Sequence, residues 1–114
     1  MYQSARLIIK DVKIFTGHEW IEQGFARVSN GSIVEVGAGA YTGDTAGHVV
    51  LSCPGDTLIP GLIDSHIHAL GGNIQSLEQS IRFGVTTVCD MHNDPRDNAK
   101  LLDVSVSLQL QNVS

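Results

Sequence analysis

The stretch Pro60-Gly61-Leu62-Ile63-Asp64-Ser65-His66-Ile67-His68 decides the fold of this 114-residue chain. A Pro-Gly break comes first, a short apolar strand follows, and two histidines one residue apart end it. Successive side chains of a strand point to opposite faces, so Asp64, His66 and His68 are expected on one side if strand geometry persists. Neutral imidazole is a common ligand of zinc and related cations. The pattern predicts half of a metal site, and the alternative is two partly exposed histidines at a strand end.

The residues before this stretch predict a small β domain. Residues 6–15 are apolar and β-branched with interleaved charges, which is typical of strands, with a bend at Lys10-Asp11. Asn30-Gly31 separates two strand-like runs and predicts a hairpin, because both central residues of a type I′ turn need positive φ. His48-Val49-Val50-Leu51 predicts a further short strand. We therefore expect residues 1–59 to form a small sheet or half of a sandwich.

The residues after this stretch predict an α/β unit. Apolar residues recur at helical spacing over residues 74–81, with Asn73 as N-cap and Gly84 just past the end. Residues 85–89 are mostly β-branched, which is typical of a strand buried in a parallel sheet. Strand, helix and strand in this order predict a βαβ unit with a right-handed crossover.

The end of the chain follows a different pattern. Asp94-Pro95 predicts a helix start, and residues 95–102 are expected to form about two turns. Apolar and polar residues then alternate over residues 104–111, which favours an amphipathic strand or an exposed adhesive segment.

Composition excludes some classes of function. The formal net charge of −5 provides no basic face for nucleic acid or anionic lipid. The two cysteines, Cys53 and Cys89, lie in hydrophobic settings and are expected to be reduced and buried. No apolar run approaches about 18 residues and no secretion signal precedes the first strand. We expect a cytoplasmic protein.

With these segments placed, the chain resembles the amino-terminal portion of the amidohydrolase superfamily of metal-dependent hydrolases. The resemblance is carried by Leu58 to His68 and by the run Gly84-Val85-Thr86-Thr87-Val88-Cys89-Asp90-Met91. The latter is most similar to the imidazolonepropionase- and prolidase-related branch. The resemblance implies a β-sandwich attached to a (β/α)₈ barrel of the TIM type, with residues 1–59 in the sandwich, 60–102 at the start of the barrel and 103–114 as a divergent tail.

The same resemblance assigns roles to residues. His66 and His68 would be metal ligands at the carboxyl end of the first barrel strand, where barrel active sites gather. Asp64 and Asp90 would be carboxylates that support the site without binding the metal, and His92 is either a substrate contact or an ordinary loop histidine. The metal, usually zinc, would lower the pKa of a water that attacks an amide-type carbonyl of a small molecule. His18 and His48 are expected to be ordinary surface or loop histidines.

Length sets a limit on this interpretation. A complete (β/α)₈ barrel typically needs about 250 residues, so these 114 residues are expected to be an incomplete barrel that is inactive alone. Two other hypotheses remain: a non-catalytic remnant, and a β-rich module that pairs with a separate chain supplying the rest of the barrel. Open strand edges would also permit self-association.

Overall fold

The computed structural model describes residues 6–69, 73–91, 94, 96, 97, 99 and 100. The chain divides into two compact units, Met1–Pro60 and Gly61–Ser114. The described residues are mostly strands, with a mixed sheet in the first unit and a helix in the second.

The first unit is a five-stranded mixed sheet. Its strands are β1 (Leu7–Phe15), β2 (Trp20–Ser29), β3 (Ser32–Ala38), β4 (Val49–Ser52) and β5 (Thr57–Leu58). The order across the sheet is β3-β2-β1-β4, and β5 pairs with β1 beyond β4. The strands β1, β2 and β3 form an antiparallel meander, whereas β4 and β5 both run parallel to β1. Because three strands, β2, β4 and β5, pair with β1, this strand is the centre of the unit.

Apolar residues of β1 supply most of the core. Ile8, Val12 and Ile14 are buried, and Ala26 of β2 is buried beside them. The expected hairpin joins β2 to β3, with Asn30 at φ 54° and Gly31 at φ 73°, so the local prediction is confirmed. Glycine and asparagine tolerate these angles better than other residues.

The expected bend in β1 is a bulge at Asp11. The register with β2 shifts between Lys10 and Val12, and Asp11 has φ 58°. Its carboxylate Oδ2 accepts a hydrogen bond from the Ser52 hydroxyl at 2.6 Å and lies 3.0 Å from Lys10 Nζ. The Ser52 hydrogen bond first, and Lys10 second, hold the pKa of Asp11 below its ordinary value. The bulge therefore joins β1 to the end of β4.

The second unit contains two parallel strands and the helix between them. These are β6 (Leu62–Ile67), α1 (Ile74–Arg82) and β7 (Val85–Asp90). Asn73 caps α1 through its side-chain oxygen, which accepts the N–H of Gln75 at 3.0 Å, and Gly84 at φ 81° follows the helix end. The strand–helix–strand prediction is confirmed. Within the described parts of the chain, no helix has the length and apolarity needed to cross a membrane.

Burial in the second unit differs from the sequence prediction. Val85 and Val88 are only half-buried, and the Cys89 side chain is exposed, while Cys53 of the first unit is half-buried. The expectation of two buried thiols was wrong for Cys89, because the described residues do not cover the face of β7 that carries it. The predicted helix over residues 95–102 lies partly outside the described residues, and the tail 103–114 lies wholly outside them.

Candidate metal centre

The pairing of β6 with β7 shifts by one residue where the histidines begin. Between its paired positions Asp64 and Ile67, β6 has two residues, Ser65 and His66, where β7 has one. An extra residue of this kind is a β-bulge, which bends the strand and redirects its side chains. Bulges are common beside active sites, so this irregularity marks the end of β6 as a candidate site.

Asp64 supports the bulge from within the same strand. Its Oδ1 accepts the backbone N–H of His66 at 3.0 Å. Aspartate side chains commonly bond to the backbone two residues on, which offers the chain an alternative to the sheet ladder. The Asp64 carboxylate therefore holds the backbone that carries the first histidine.

The imidazole of His66, within the bulge, meets that of His68, two residues further on. Nε2 of His66 lies 3.1 Å from Nε2 of His68, with the ring centroids 5.0 Å apart and the ring planes inclined by 65°. Zinc–nitrogen bonds of about 2.0–2.1 Å at a tetrahedral angle place two ligand nitrogens about 3.3 Å apart. The observed separation is close to this value, so the two nitrogens fit one cation. The same distance also suits a hydrogen bond from one ring to the other, with the donor set by the tautomers.

The pair provides only part of a coordination shell. Both histidines are exposed, so an ion has access from solvent. Among the residues that the structure describes, no group of three or more His, Cys, Asp or Glu side chains is placed to hold a metal. Catalytic zinc generally takes three protein ligands and keeps one open position. The arrangement can therefore bind a cation weakly or in combination with donors from elsewhere.

The chain has relatives among known hydrolases, although no protein-family model matches it. It is 34% identical over 108 residues to adenine deaminase of Bacillus pumilus, covering 90% of this chain and 17% of that protein. Its fold matches a β-aspartyl dipeptidase from Fervidobacterium islandicum, with TM-score 0.70, 27% identity and coverage of 93% of this chain and 32% of that one. A molinate hydrolase matches with TM-score 0.71 and 19% identity, over 94% of this chain and 28% of the other.

These relatives and fold neighbours are hydrolases of the amidohydrolase superfamily, which the chain resembles in sequence and in fold. The chain spans about one sixth of the length of the curated relative named above. The prediction made from the HxH motif and the Gly84–Met91 run is therefore confirmed for the family. The superfamily is generally metal-dependent, which agrees with the donor chemistry of the His pair.

The other residues singled out from the sequence lie on β7, after β7 in the sequence, and in the first unit. Asp90 ends β7 and pairs with Ile67 of β6, and the N–H of Met91 donates to the Ile67 carbonyl at 3.1 Å. The carboxyl group of Asp90 is thus on the strand next to the histidines, at the same end of the two-stranded sheet. His92 lies outside the described residues, so its substrate contact stays a prediction. His18 and His48 belong to the first unit.

Two carboxylates that follow β7 are engaged by basic side chains. Arg96 binds Asp94 through Nη2 at 2.6 Å, and Lys100 binds Asp97 at 2.8 Å. The hydrogen bond from the Arg96 side chain, with a further one from its backbone, lowers the pKa of Asp94. Both carboxylates are therefore held in ion pairs with neighbouring basic side chains.

One feature of the site was missed from the sequence. A Cβ added to Gly61 would lie 2.8 Å from Cβ of Thr86 and would also meet both other atoms of that side chain. Pro60-Gly61 predicted only a break in the chain, but the absence of a side chain at Gly61 also leaves room for the side chain of Thr86 at the start of β7. The β-branched residue Thr86 in the partner strand could have indicated this contact. It does so only once the register between β6 and β7 is known.

Proposed function

We propose that this chain supplies the first two metal ligands, His66 and His68, of a hydrolase that breaks carbon–nitrogen bonds. The observation that carries the proposal is the 3.1 Å approach of the two Nε2 atoms at the carboxyl end of β6. The neighbouring strand runs parallel and is connected through a helix, which is the repeating unit of a (β/α)₈ barrel. Barrel active sites lie at the carboxyl ends of the strands, where these histidines are found.

The same framework gives a proposed division of the chain. Residues 1–59 would be a sandwich segment, residues 60–102 the start of the barrel, and residues 103–114 a tail. The five-stranded sheet of the first unit and the β6–α1–β7 unit support the first two assignments.

Each described residue of the site has a definite task in this proposal. The imidazoles of His66 and His68 would hold a divalent cation, with zinc favoured because imidazole suits it. Asp64 keeps the His66 backbone in place through its accepted hydrogen bond. A bound cation of this class lowers the pKa of water and polarises a carbonyl or related carbon–nitrogen centre. Residues beyond those described would complete the shell and provide the base.

The substrate class follows from the relatives. An adenine deaminase and a β-aspartyl dipeptidase, as their names state, break carbon–nitrogen bonds in small molecules. We therefore propose a small amide-like or amine-bearing substrate. Because the described residues bring only two donors together, we expect the 114-residue chain alone to show no hydrolase activity.

Metal analysis of the purified chain tests the proposal. The chain, produced without a histidine tag, is dialysed against zinc and its bound metal is measured by mass spectrometry. We expect His66→Asn and His68→Asn each to abolish stoichiometric zinc binding, because a single imidazole is a poor chelate. His18→Asn, a change at an exposed histidine of the first unit, serves as the matched control and should bind as the parent chain does. Equal binding by all variants would contradict the proposal.

A specific observation favours a second candidate function, a module that pairs with a separate chain. Leu62 and Ile63 of β6 and Phe83 after α1 are large apolar residues that are exposed. Exposed apolar residues in such number are typical of an interaction surface. Tight one-to-one association with a separately produced remainder of an amidohydrolase barrel would support this alternative. A metal-free chain that neither binds such a remainder nor stays in solution would indicate a non-catalytic remnant.

A further inference from the structure

We infer that one divalent cation can join two copies of this chain, held by His66 and His68 of each copy. This inference rests on the proposed metal-binding role of the two histidines. It concerns a different state of that site, in which a second chain supplies the donors that the described residues of one chain do not bring together.

The geometry of the pair leaves room for a second set of donors. The two Nε2 atoms lie 3.1 Å apart, so they occupy adjacent positions around one ion. Zinc is almost always four-coordinate and tetrahedral in closed sites. Two imidazoles from one chain fill two of the four tetrahedral positions, and the remaining two positions are the same distance apart. A second copy can therefore fill them with the same pair of nitrogens.

Exposure makes the approach of a second copy possible. The side chains of His66 and His68 are both exposed; His66 is near the end of β6, and His68 directly follows the strand. A two-fold axis through the ion would relate the copies, so that each gives the same residues to the contact. The site is then closed, with four nitrogen ligands, without any further protein donor.

Charge opposes this association and gives it a recognisable salt dependence. Each chain has a formal net charge of −5, so two copies repel each other. The cation offsets part of that repulsion at the contact, and added salt screens the remainder over about 10 Å at 0.1 M ionic strength. The metal-linked pair should therefore become more stable as the concentration of an inert salt rises. An association driven by attraction between oppositely charged surfaces would respond in the opposite way.

Sedimentation with zinc titration tests the inference. The untagged full chain is first treated with a chelator, and zinc chloride is then added stepwise while mass and bound metal are measured together. We expect the mass to double, with the transition complete at one zinc per two chains, and chelator to reverse it. Magnesium at the same concentrations should have no effect, because imidazole is a poor ligand for it.

Variants separate this inference from the proposed function. His66→Asn and His68→Asn should remain single chains at every zinc concentration, whereas His18→Asn should pair as the parent does. One zinc per chain with no change in mass would overturn the inference and leave the proposed metal-binding role intact. No zinc binding at all would overturn both. Doubling of mass that persists in chelator, or in both His variants, would also overturn the inference.

Discussion

At the scale of single residues, the His66 ring lies beside that of His68 where β6 departs from regular strand geometry. The extra residue of the bulge and the hydrogen bond from the His66 N–H to Asp64 Oδ1 occur at the same point. Mutation of residues that orient metal ligands typically lowers metal affinity by about 10- to 100-fold. Asp64 has such an orienting role, because its hydrogen bond is to the backbone of His66 and not to an imidazole ring.

Replacement of Asp64 should therefore reveal whether its hydrogen bond matters. Asp64→Ala removes the acceptor for the His66 N–H, and we expect zinc affinity to fall by about 10- to 100-fold. Asp64→Asn retains a side-chain oxygen at the same place and should lose much less. Competition with a coloured chelator measures both affinities. If Asp64→Asn loses as much as Asp64→Ala, the negative charge and not the hydrogen bond supports the site.

Single residues also show what the sequence could predict. Asn30-Gly31 and the Asn73 cap were predictable because turn angles and capping bonds depend on a few neighbouring residues. The common side of His66 and His68 followed from strand alternation. The bulge at Ser65-His66 did not, because it depends on the register with a strand more than twenty residues further on. The close approach of Gly61 to Thr86 was hidden for the same reason.

At the scale of elements, β1 is joined to β4 by both backbone pairing and a side-chain contact. Asp11 in the bulge of β1 accepts a hydrogen bond from Ser52 at the end of β4. The sequence predicted the bend at this position and the short strands on either side. It did not predict that β4 and β5 pair in parallel with β1, because distant pairing is decided by packing and not by local pattern.

The Asp11 contact gives the first unit a characteristic response to acid. The pKa of Asp11 is held below its ordinary value of 3.8 by Ser52 and then by Lys10. The stabilisation is therefore fully present above pH 3.8 and is lost as the pH falls through the lower pKa of the folded state. Asp11→Asn tolerates the positive φ but has no charge to titrate. We expect its urea midpoint to fall less between pH 6 and pH 2 than that of the parent chain.

The two urea curves must be compared at both pH values to give this result. The difference between the parent and Asp11→Asn should become smaller at the acid end, because protonation of the Asp11 carboxyl removes the charge that the variant lacks. A parent chain whose midpoint falls no more steeply than that of Asp11→Asn would show that the Ser52 contact does not stabilise the folded sheet.

At the scale of the whole molecule, the two units differ in how much apolar surface they enclose. Ile8, Val12, Ile14 and Ala26 are buried in the first unit, whereas Ala69 is the buried apolar residue in the described part of the second. Ile63 of β6 is 69% exposed and Phe83 is 73% exposed. Local patterns predicted the strand and the helix of this unit correctly but not this exposure, because burial depends on what else packs against them.

Removal of one exposed apolar side chain should improve the behaviour of the chain in solution. Ile63→Lys replaces a large exposed apolar residue of β6, and we expect a higher saturation concentration in metal-free buffer, with folding stability within about 0.5 kcal/mol of the parent. Gln79→Lys on α1 is the matched control, since it adds the same charge at an exposed polar residue. Both changes move the net charge toward zero, which by itself lowers solubility.

Light scattering at increasing protein concentration distinguishes the two variants. Ile63→Lys should stay dispersed at concentrations where the parent and Gln79→Lys scatter. Identical onset of scattering for all three chains would show that the β6 surface does not drive association.

The arrangement of partners around β1 has a consequence for synthesis on the ribosome. As the nascent chain emerges, β1, β2 and β3 follow one another and can form their meander from neighbouring residues alone. The opposite side of β1 stays without a partner until residues 49–58 have left the exit tunnel. Unpaired N–H and C=O groups on that side can meanwhile attract any other extended chain. While this interval is being translated, a chaperone that covers the open edge of β1 would prevent such pairing.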